Sequence, residues 1–285
     1  MSTTTTTTAS LTPAEQEALK ASIFQRLHPR VYLERFISEN IRPDARQLDA
    51  WRDVSINVEK IGSISTANGS ALVRLGNTTV VCGVKAEIAE PELDRPGEGF
   101  LVPNLDLPAM CSPKFKPGPP TEEAQVLSDR LNEALIASNI LSLSSLCIRS
   151  GKAAWVLYVD ATCINYDGNV FDATLLAMVA ALKNTKLPQA NFDEETGRTI
   201  CTRSVSAPLN ITCTPVAMSF GLFDSTTLLT DPTAFEEPLL DSTLTVVVDS
   251  VSGALISVTQ LGAGIDVQHC IQAAEQRRPA LAELM

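Results

Sequence analysis

A strand-forming run, Ala153-Ala154-Trp155-Val156-Leu157-Tyr158-Val159, leads through Tyr166-Asp167-Gly168-Asn169 into Asp172 to Lys183, a segment made almost wholly of Ala, Leu, Met and Val. A surface helix carries one apolar stripe, so a helix that is apolar around its whole circumference has to be enclosed on most sides. The chain must therefore build layers around this helix. A strand that ends in a glycine turn and opens a helix also aims free backbone N–H groups outward, an arrangement suited to anions. Phosphoryl chemistry normally adds arginine or lysine at that point. Here the turn continues into Val170, Phe171 and Asp172, which reads as an anion pocket without its cation.

A chain of 285 residues is long enough for one large or two smaller domains. Its net charge of -11 argues against a protein that grips nucleic acid across its own surface, because that affinity rests on clustered Lys and Arg. An acidic chain can still line part of a basic assembly whose partners supply the positive charge. Seven cysteines occur singly, with no C-x-x-C, which suits a reducing compartment. Only His28 and His269 are present, so neither a zinc site nor a Cys/His nucleophile pair is expected. No apolar run reaches the ~20 residues of a membrane span, and no signal peptide is evident, so a soluble intracellular protein is expected.

Residues 1–11 are threonine-rich and read as a disordered tail. Thr12-Pro13-Ala14-Glu15 then has the form of a capping box with proline at the first helical position, and a helix is expected over 12–30, ended by His28-Pro29. Strands are expected at Val54 to Val58, Ala71 to Leu75 and Thr79 to Val84, the last two joined as a hairpin at Gly76-Asn77. Pro91 to Pro120 reads as a long loop carrying Lys114 and Lys116, and a helix capped by Thr121 follows it. Asn184 to Ser206 reads as a polar link between two halves. Beyond it, strands are expected at 209–214, 216–222, 226–229, 243–248 and 254–258, then a helix from Ile265 to about Gln276, limited by Pro279. Two blocks of strands followed by a helix favour a mixed α/β (α+β) architecture, with a first half over about 31–186 and a second over about 207–285.

Several segments, taken in order, resemble the RNase PH-fold subunits of the eukaryotic RNA exosome. They are Arg42-Pro43-Asp44-Ala45-Arg46, the stretch 62–73 with Leu75-Gly76-Asn77-Thr78-Thr79, Val102-Pro103-Asn104-Leu105-Asp106-Leu107-Pro108 and Gly118-Pro119-Pro120. Trp155-Val156-Leu157-Tyr158, Tyr166-Asp167-Gly168-Asn169, Ala180-Ala181-Leu182-Lys183-Asn184 and Asp231-Pro232-Thr233 continue the series. The resemblance implies a fold, a ring assembly and a loss of chemistry. Members that degrade RNA by phosphorolysis carry Gly-Gly-Thr/Ser-Arg after the strand, where this chain has Gly168, Asn169, Val170 and Phe171. They also begin the helix near position 120 with arginines, where this chain has Thr121, Glu122 and Glu123. Each lost cation is expected to cost on the order of 10²-fold to 10³-fold in rate.

Of the acidic pair in active members, Asp231 is retained and the second aspartate becomes Glu237. One reading is a residual acid or metal-binding pair, supporting a phosphorolytic 3′-5′ exoribonuclease; the other is an acidic turn shaped by Pro232. Asp167 has the same two readings, ligand or Asp-Gly turn residue. Lys114 and Lys116 are candidates for contact with passing RNA, against a reading as two solvated lysines. The resemblance implies a non-catalytic scaffold with no cofactor and no metal. It would pair with a subunit resembling ribosomal RNA-processing protein 46, join a six-membered ring, and meet S1/KH cap proteins including Csl4, a processive nuclease and RNA in the channel. Location in the nucleus, nucleolus and cytoplasm is implied with it.

Overall fold

The computed structural model describes residues 12–58 and 66–285, so the threonine tail and the part of the family resemblance at 62–65 lie outside the described residues. The chain divides into a helical unit ending at Ala50 and a second unit from Trp51 to Met285. In the first, α1 (Pro13–Leu27) opens on a complete capping box: Glu15 N donates to Thr12 Oγ1 at 3.4 Å and Thr12 N donates to Glu15 Oε2 at 2.7 Å. His28 ends α1, as the sequence suggests. Pro29 at once starts a second helix, α2 (Pro29–Ser38), because the ring that cannot continue one helix fits the first turn of the next.

The second unit opens with β1 (Val54–Asn57), β2 (Gly69–Leu75) and β3 (Thr78–Ala89). Leu75 faces Thr78 across a two-residue turn in which Gly76 has φ +56, confirming the hairpin. Next come β4 (Phe100–Asp106), α3 (Glu122–Ala137), β5 (Cys147–Arg149), β6 (Ala153–Asn165) and α4 (Val170–Lys183). One sheet has the order β1-β2-β3-β6-β4, with β5 paired to β6; β4 alone runs parallel to its neighbour. A hairpin, β7 (Lys186–Asp193) and β8 (Arg198–Pro208), leads to β9 (Pro215–Phe223), β10 (Thr227–Thr230), β11 (Ser242–Asp249) and β12 (Leu255–Leu261), which form a second sheet in the order β10-β9-β11-β12. The chain ends in α5 (Val267–Leu284).

The architecture is the α+β arrangement the sequence implies. α4 packs on β2, β3 and β6 of the first sheet and on β9 of the second, and every residue from Val170 to Leu182 is buried. β9 lies between α4 and α5 and is buried along almost its whole length, which is why it reads as a continuous apolar run. No helix among the described residues is long and apolar enough to cross a membrane.

Four expectations require correction. The stretch from Pro91 to Pro120 is not one loop, because β4 lies inside it; Pro103 hid the strand, yet a proline is tolerated where a strand has an open edge, and β4 pairs with β6 alone. Asn184 to Ser206 is no simple link but holds most of the β7–β8 ribbon, a two-stranded pair in which β7 buries only Leu187, so its apolar signal is weak. Residues 209–214 form no strand, and only Ile211 makes an isolated bridge, to Leu141. Helix α5 runs past Pro279, carried by a buried face at Cys270, Ala274 and Leu281.

Gly69, at the start of β2, sits so close to the end of α4 that an added Cβ would meet Thr185 Oγ1 at 2.2 Å and Ala181 O at 2.7 Å. Substituting Gly69→Ala is expected to lower stability by about 1–3 kcal/mol through this clash. Urea unfolding checks it, and an unchanged midpoint would remove the close approach as a constraint.

Candidate functional site

The turn at Asp167-Gly168-Asn169 between β6 and α4 is assembled from both ends of the second unit. At the hairpin tip, Thr78 Oγ1 donates to Gly168 O at 2.7 Å and accepts from Asp167 N at 3.1 Å. Asn77 Nδ2 donates to Asp167 Oδ2 at 3.0 Å, so Asp167 serves as a turn residue. Gly168 has φ +78, and a Cβ there would meet Ala234 N and the Thr233 carbonyl carbon at 2.4 Å. Only glycine lets the 231–237 turn pass this close.

A cation does reach this turn, from a part of the sequence where none was expected. Arg52, just before β1, is buried, and its Nε and Nη2 donate to Asp231 Oδ2 and Oδ1 at 2.8 and 2.7 Å. The fork also holds the turn: Nη1 donates to Asp167 O at 2.7 Å and to Thr78 Oγ1 at 3.4 Å, and Nη2 to Gly168 O at 3.3 Å. The Arg52 backbone N–H adds a 3.0 Å bond to Asp231 Oδ2. The bidentate carboxylate and the turn carbonyls take up the guanidinium, leaving it no donor face for a phosphate. At the turn itself a cation is present but taken up.

Asp231, fully buried at φ +48, follows β10. Burial pushes its carboxyl up, but the Arg52 guanidinium outweighs burial and holds it below the usual carboxylate range. Asn169 caps α4 in a left-handed conformation, φ +50, and its side-chain amide bridges Asp172 Oδ2 and Asp231 Oδ1, both at 2.7 Å. Asp172 in turn accepts from Ser219 N and Ser219 Oγ, each at 2.8 Å. Burial raises the Asp172 carboxyl to about 6, against the pull of the Asn169 and Ser219 hydrogen bonds.

Glu237 fills the mouth of α4. Its Oε1 accepts from Asn169 N at 2.7 Å and its Oε2 from Tyr166 Oη at 2.5 Å. Burial raises the Glu237 carboxyl, and burial with the facing Glu237 raises the Tyr166 phenol. Beside this contact lies a cavity of about 850 Å³, lined in part by Lys114, Glu123, Arg130, Val170, Phe171 and Glu237. The Arg130 guanidinium stacks 4.6 Å from the Phe171 ring, and Lys114 pairs with Glu123 at 2.8 Å. Lys116 is exposed and does not line that cavity.

The structure thus brings together Gly168, Asn169, Asp231 and Glu237 through hydrogen bonds and close backbone contact, sets Val170 and Phe171 in the cavity wall, and separates Lys116 from them. Sequence reading missed Arg52, which gave no signal because its partners lie 115 and 179 residues away. It also missed Arg130, whose signal was a cation inside the apolar spacing of α3. No group of three or more His, Cys, Asp or Glu able to hold a metal occurs among the described residues.

Removing one partner of a buried ion pair strands the other, so Asp231→Asn is expected to cost about 3 kcal/mol or more in urea unfolding. A loss under 1 kcal/mol would show that the pair does not hold the turn. Asp172 binds its proton more tightly folded than unfolded, so its contribution to stability falls as pH rises from the ordinary Asp range near 4 to about 6. Asp231 has the opposite sign and loses its contribution only as pH falls below about 4. Unfolding free energies measured across pH 4 to 6 should decline with rising pH, and Asp172→Asn should flatten that decline. Equal slopes in the two proteins would contradict the assignment.

Comparisons with known proteins agree with this geometry. Residues 51–188 match domain 1 of the 3′ exoribonuclease family, and residues 213–278 match domain 2. The chain is 43% identical over 268 residues to the exosome complex component rrp43 of Schizosaccharomyces pombe, covering 92% of this chain and 97% of the relative. It is 38% identical to the exosome complex component Rrp42 of Thermococcus gammatolerans, covering 80% and 81%. A chain of the solved Archaeoglobus fulgidus exosome with RNA bound to the active site superposes with a TM-score of 0.77 at 30% identity, over 93% of this chain and 98% of that one. The chain belongs to the 3′ exoribonuclease family, with the RNase PH fold and both family domains in order.

Proposed function

We propose that this chain is a non-catalytic structural subunit of an RNA exosome ring, supporting 3′-to-5′ RNA processing and decay by shaping the channel and holding its neighbours. One observation carries the reading: the chain's own carboxylates occupy the donors that a phosphorolytic site would offer to its anions. Glu237 takes the N–H at the mouth of α4, and Asp231 takes the guanidinium of Arg52. A general acid is of little use where nothing holds the attacking phosphate.

The names of the relatives and the likeness to a solved exosome support the ring role. Its partners in this reading are other RNase PH-like subunits, including one resembling ribosomal RNA-processing protein 46, cap proteins of the S1/KH type including Csl4, and a processive nuclease. RNA passes through the ring, in the nucleus, the nucleolus and the cytoplasm. Lys114 is committed to Glu123, so exposed Lys116 is the better candidate for RNA in the channel.

Incubating the purified chain with labelled oligoadenylate and inorganic phosphate is expected to release no nucleoside diphosphate, and affinity purification is expected to recover RNase PH-like chains with it. Phosphate-dependent release that disappears in Glu237→Gln would replace this reading with a phosphorolytic exoribonuclease.

A further inference from the structure

The cavity beside α4 contains side chains suited to an anion and an anion already in contact with them. We propose that Glu237 is a built-in plug, an autoinhibitory contact whose carboxylate takes the donors that a tetrahedral oxyanion would meet, so that the cavity holds no phosphate until the carboxylate is removed. The proposal rests on the non-catalytic reading and supplies a physical reason for it.

Two donors from the β6–α4 turn, one backbone and one side-chain, converge on one carboxylate. Asn169 N–H reaches Oε1 at 2.7 Å and Tyr166 O–H reaches Oε2 at 2.5 Å, lengths typical of charge-assisted bonds. The carboxylate is presented by fixed backbone. Thr233 N and Thr233 Oγ1 both donate to Glu236 Oε2, at 2.8 and 3.0 Å, and Glu237 N donates to Thr233 O at 2.9 Å. Glu237 is also one methylene longer than the aspartate that the family resemblance places there, which extends its reach toward the mouth of α4. Removing its side chain would leave the turn backbone and both donors in place.

The surroundings suit an oxyanion better than the present occupant implies. The cavity, about 850 Å³, has room for far more than a carboxylate, and Lys114 and Arg130 stand in its wall. Lys114 attracts the Glu237 carboxylate, while Glu123 repels it. With the carboxylate gone, Lys114 stays paired with Glu123, and Arg130, which stacks on Phe171, is the cation of the wall left to meet an oxyanion. With it in place, any entering phosphate meets a further negative charge at the turn whose donors Glu237 occupies, and like charges at close range oppose entry.

The test uses the full chain in the assembly with which it purifies, melted in sodium phosphate and in sodium chloride at matched ionic strength. The wild type should respond equally to both salts. Glu237→Ala and Glu237→Ser should each gain a saturable, phosphate-specific rise in melting temperature, equivalent to about a tenfold shift of the unfolding equilibrium when phosphate stands tenfold above its Kd. Adding Arg130→Met to Glu237→Ala should remove the gain and so locate it in this cavity. A phosphate-specific rise already present in the wild type, or none in two folded variants, overturns the plug. Phosphorolysis by the wild type overturns the functional reading instead, whereas failure of phosphate binding in both variants beside an inactive wild type leaves that reading intact.

Discussion

The bidentate pair between Arg52 and Asp231 is the contact on which the site depends. Arg52 precedes the first strand of one sheet, Asp231 follows the short edge strand of the other, and the Asp167-Gly168 carbonyls accept from the same guanidinium. Three segments remote in sequence are thereby fixed within hydrogen-bond distance. Apolar packing brings the two sheets onto α4, but it is non-directional and leaves their relative slide loosely set. A planar fork with five donors in fixed directions removes that freedom. The pair contributes position more than net stability, since the desolvation of two buried charges cancels much of their attraction.

From that position the charge pattern follows. Asn169 can satisfy both Asp172 and Asp231 because the clamp holds Asp231 against the cap of α4. The positive end of the helix therefore faces Asp172 and Glu237. The helix dipole favours such neighbours, and their raised proton affinities reflect burial acting against the hydrogen bonds that they accept. The same field that would steady a phosphate is spent on side chains of the protein.

How far this was legible in the sequence depended on the range of the cause. The capping box of α1, the Thr121 cap of α3 and the Gly76-Asn77 hairpin are set by residues within four positions of one another, and each forms as read. The enclosed character of α4 was equally plain, since burial on all sides leaves no polar stripe. Elements whose stability comes from a distant partner were misread. β4 exists because β6 offers it a parallel neighbour, and α5 continues beyond Pro279 because its apolar face keeps a surface to cover. The site divides the same way: Gly168 and Asn169 announced a turn, whereas nothing near Arg52 indicated that it would pair with Asp231.

The arginine that the resemblance expects after Gly168 is absent, with Phe171 in its place, and the guanidinium that does reach the turn, that of Arg52, is neutralised there by Asp231. A deleted arginine alone would leave open donors and a weak, general preference for anions at the helix mouth. A neutralised one, together with a carboxylate seated on the helix N–H, gives a closed polar network whose members are satisfied by one another. Networks of that kind resist partial loss, because each broken bond leaves a buried group unpaired. The turn at the junction of the two sheets is therefore held in place by contacts that satisfy one another, and a local change at any one of them is felt by all.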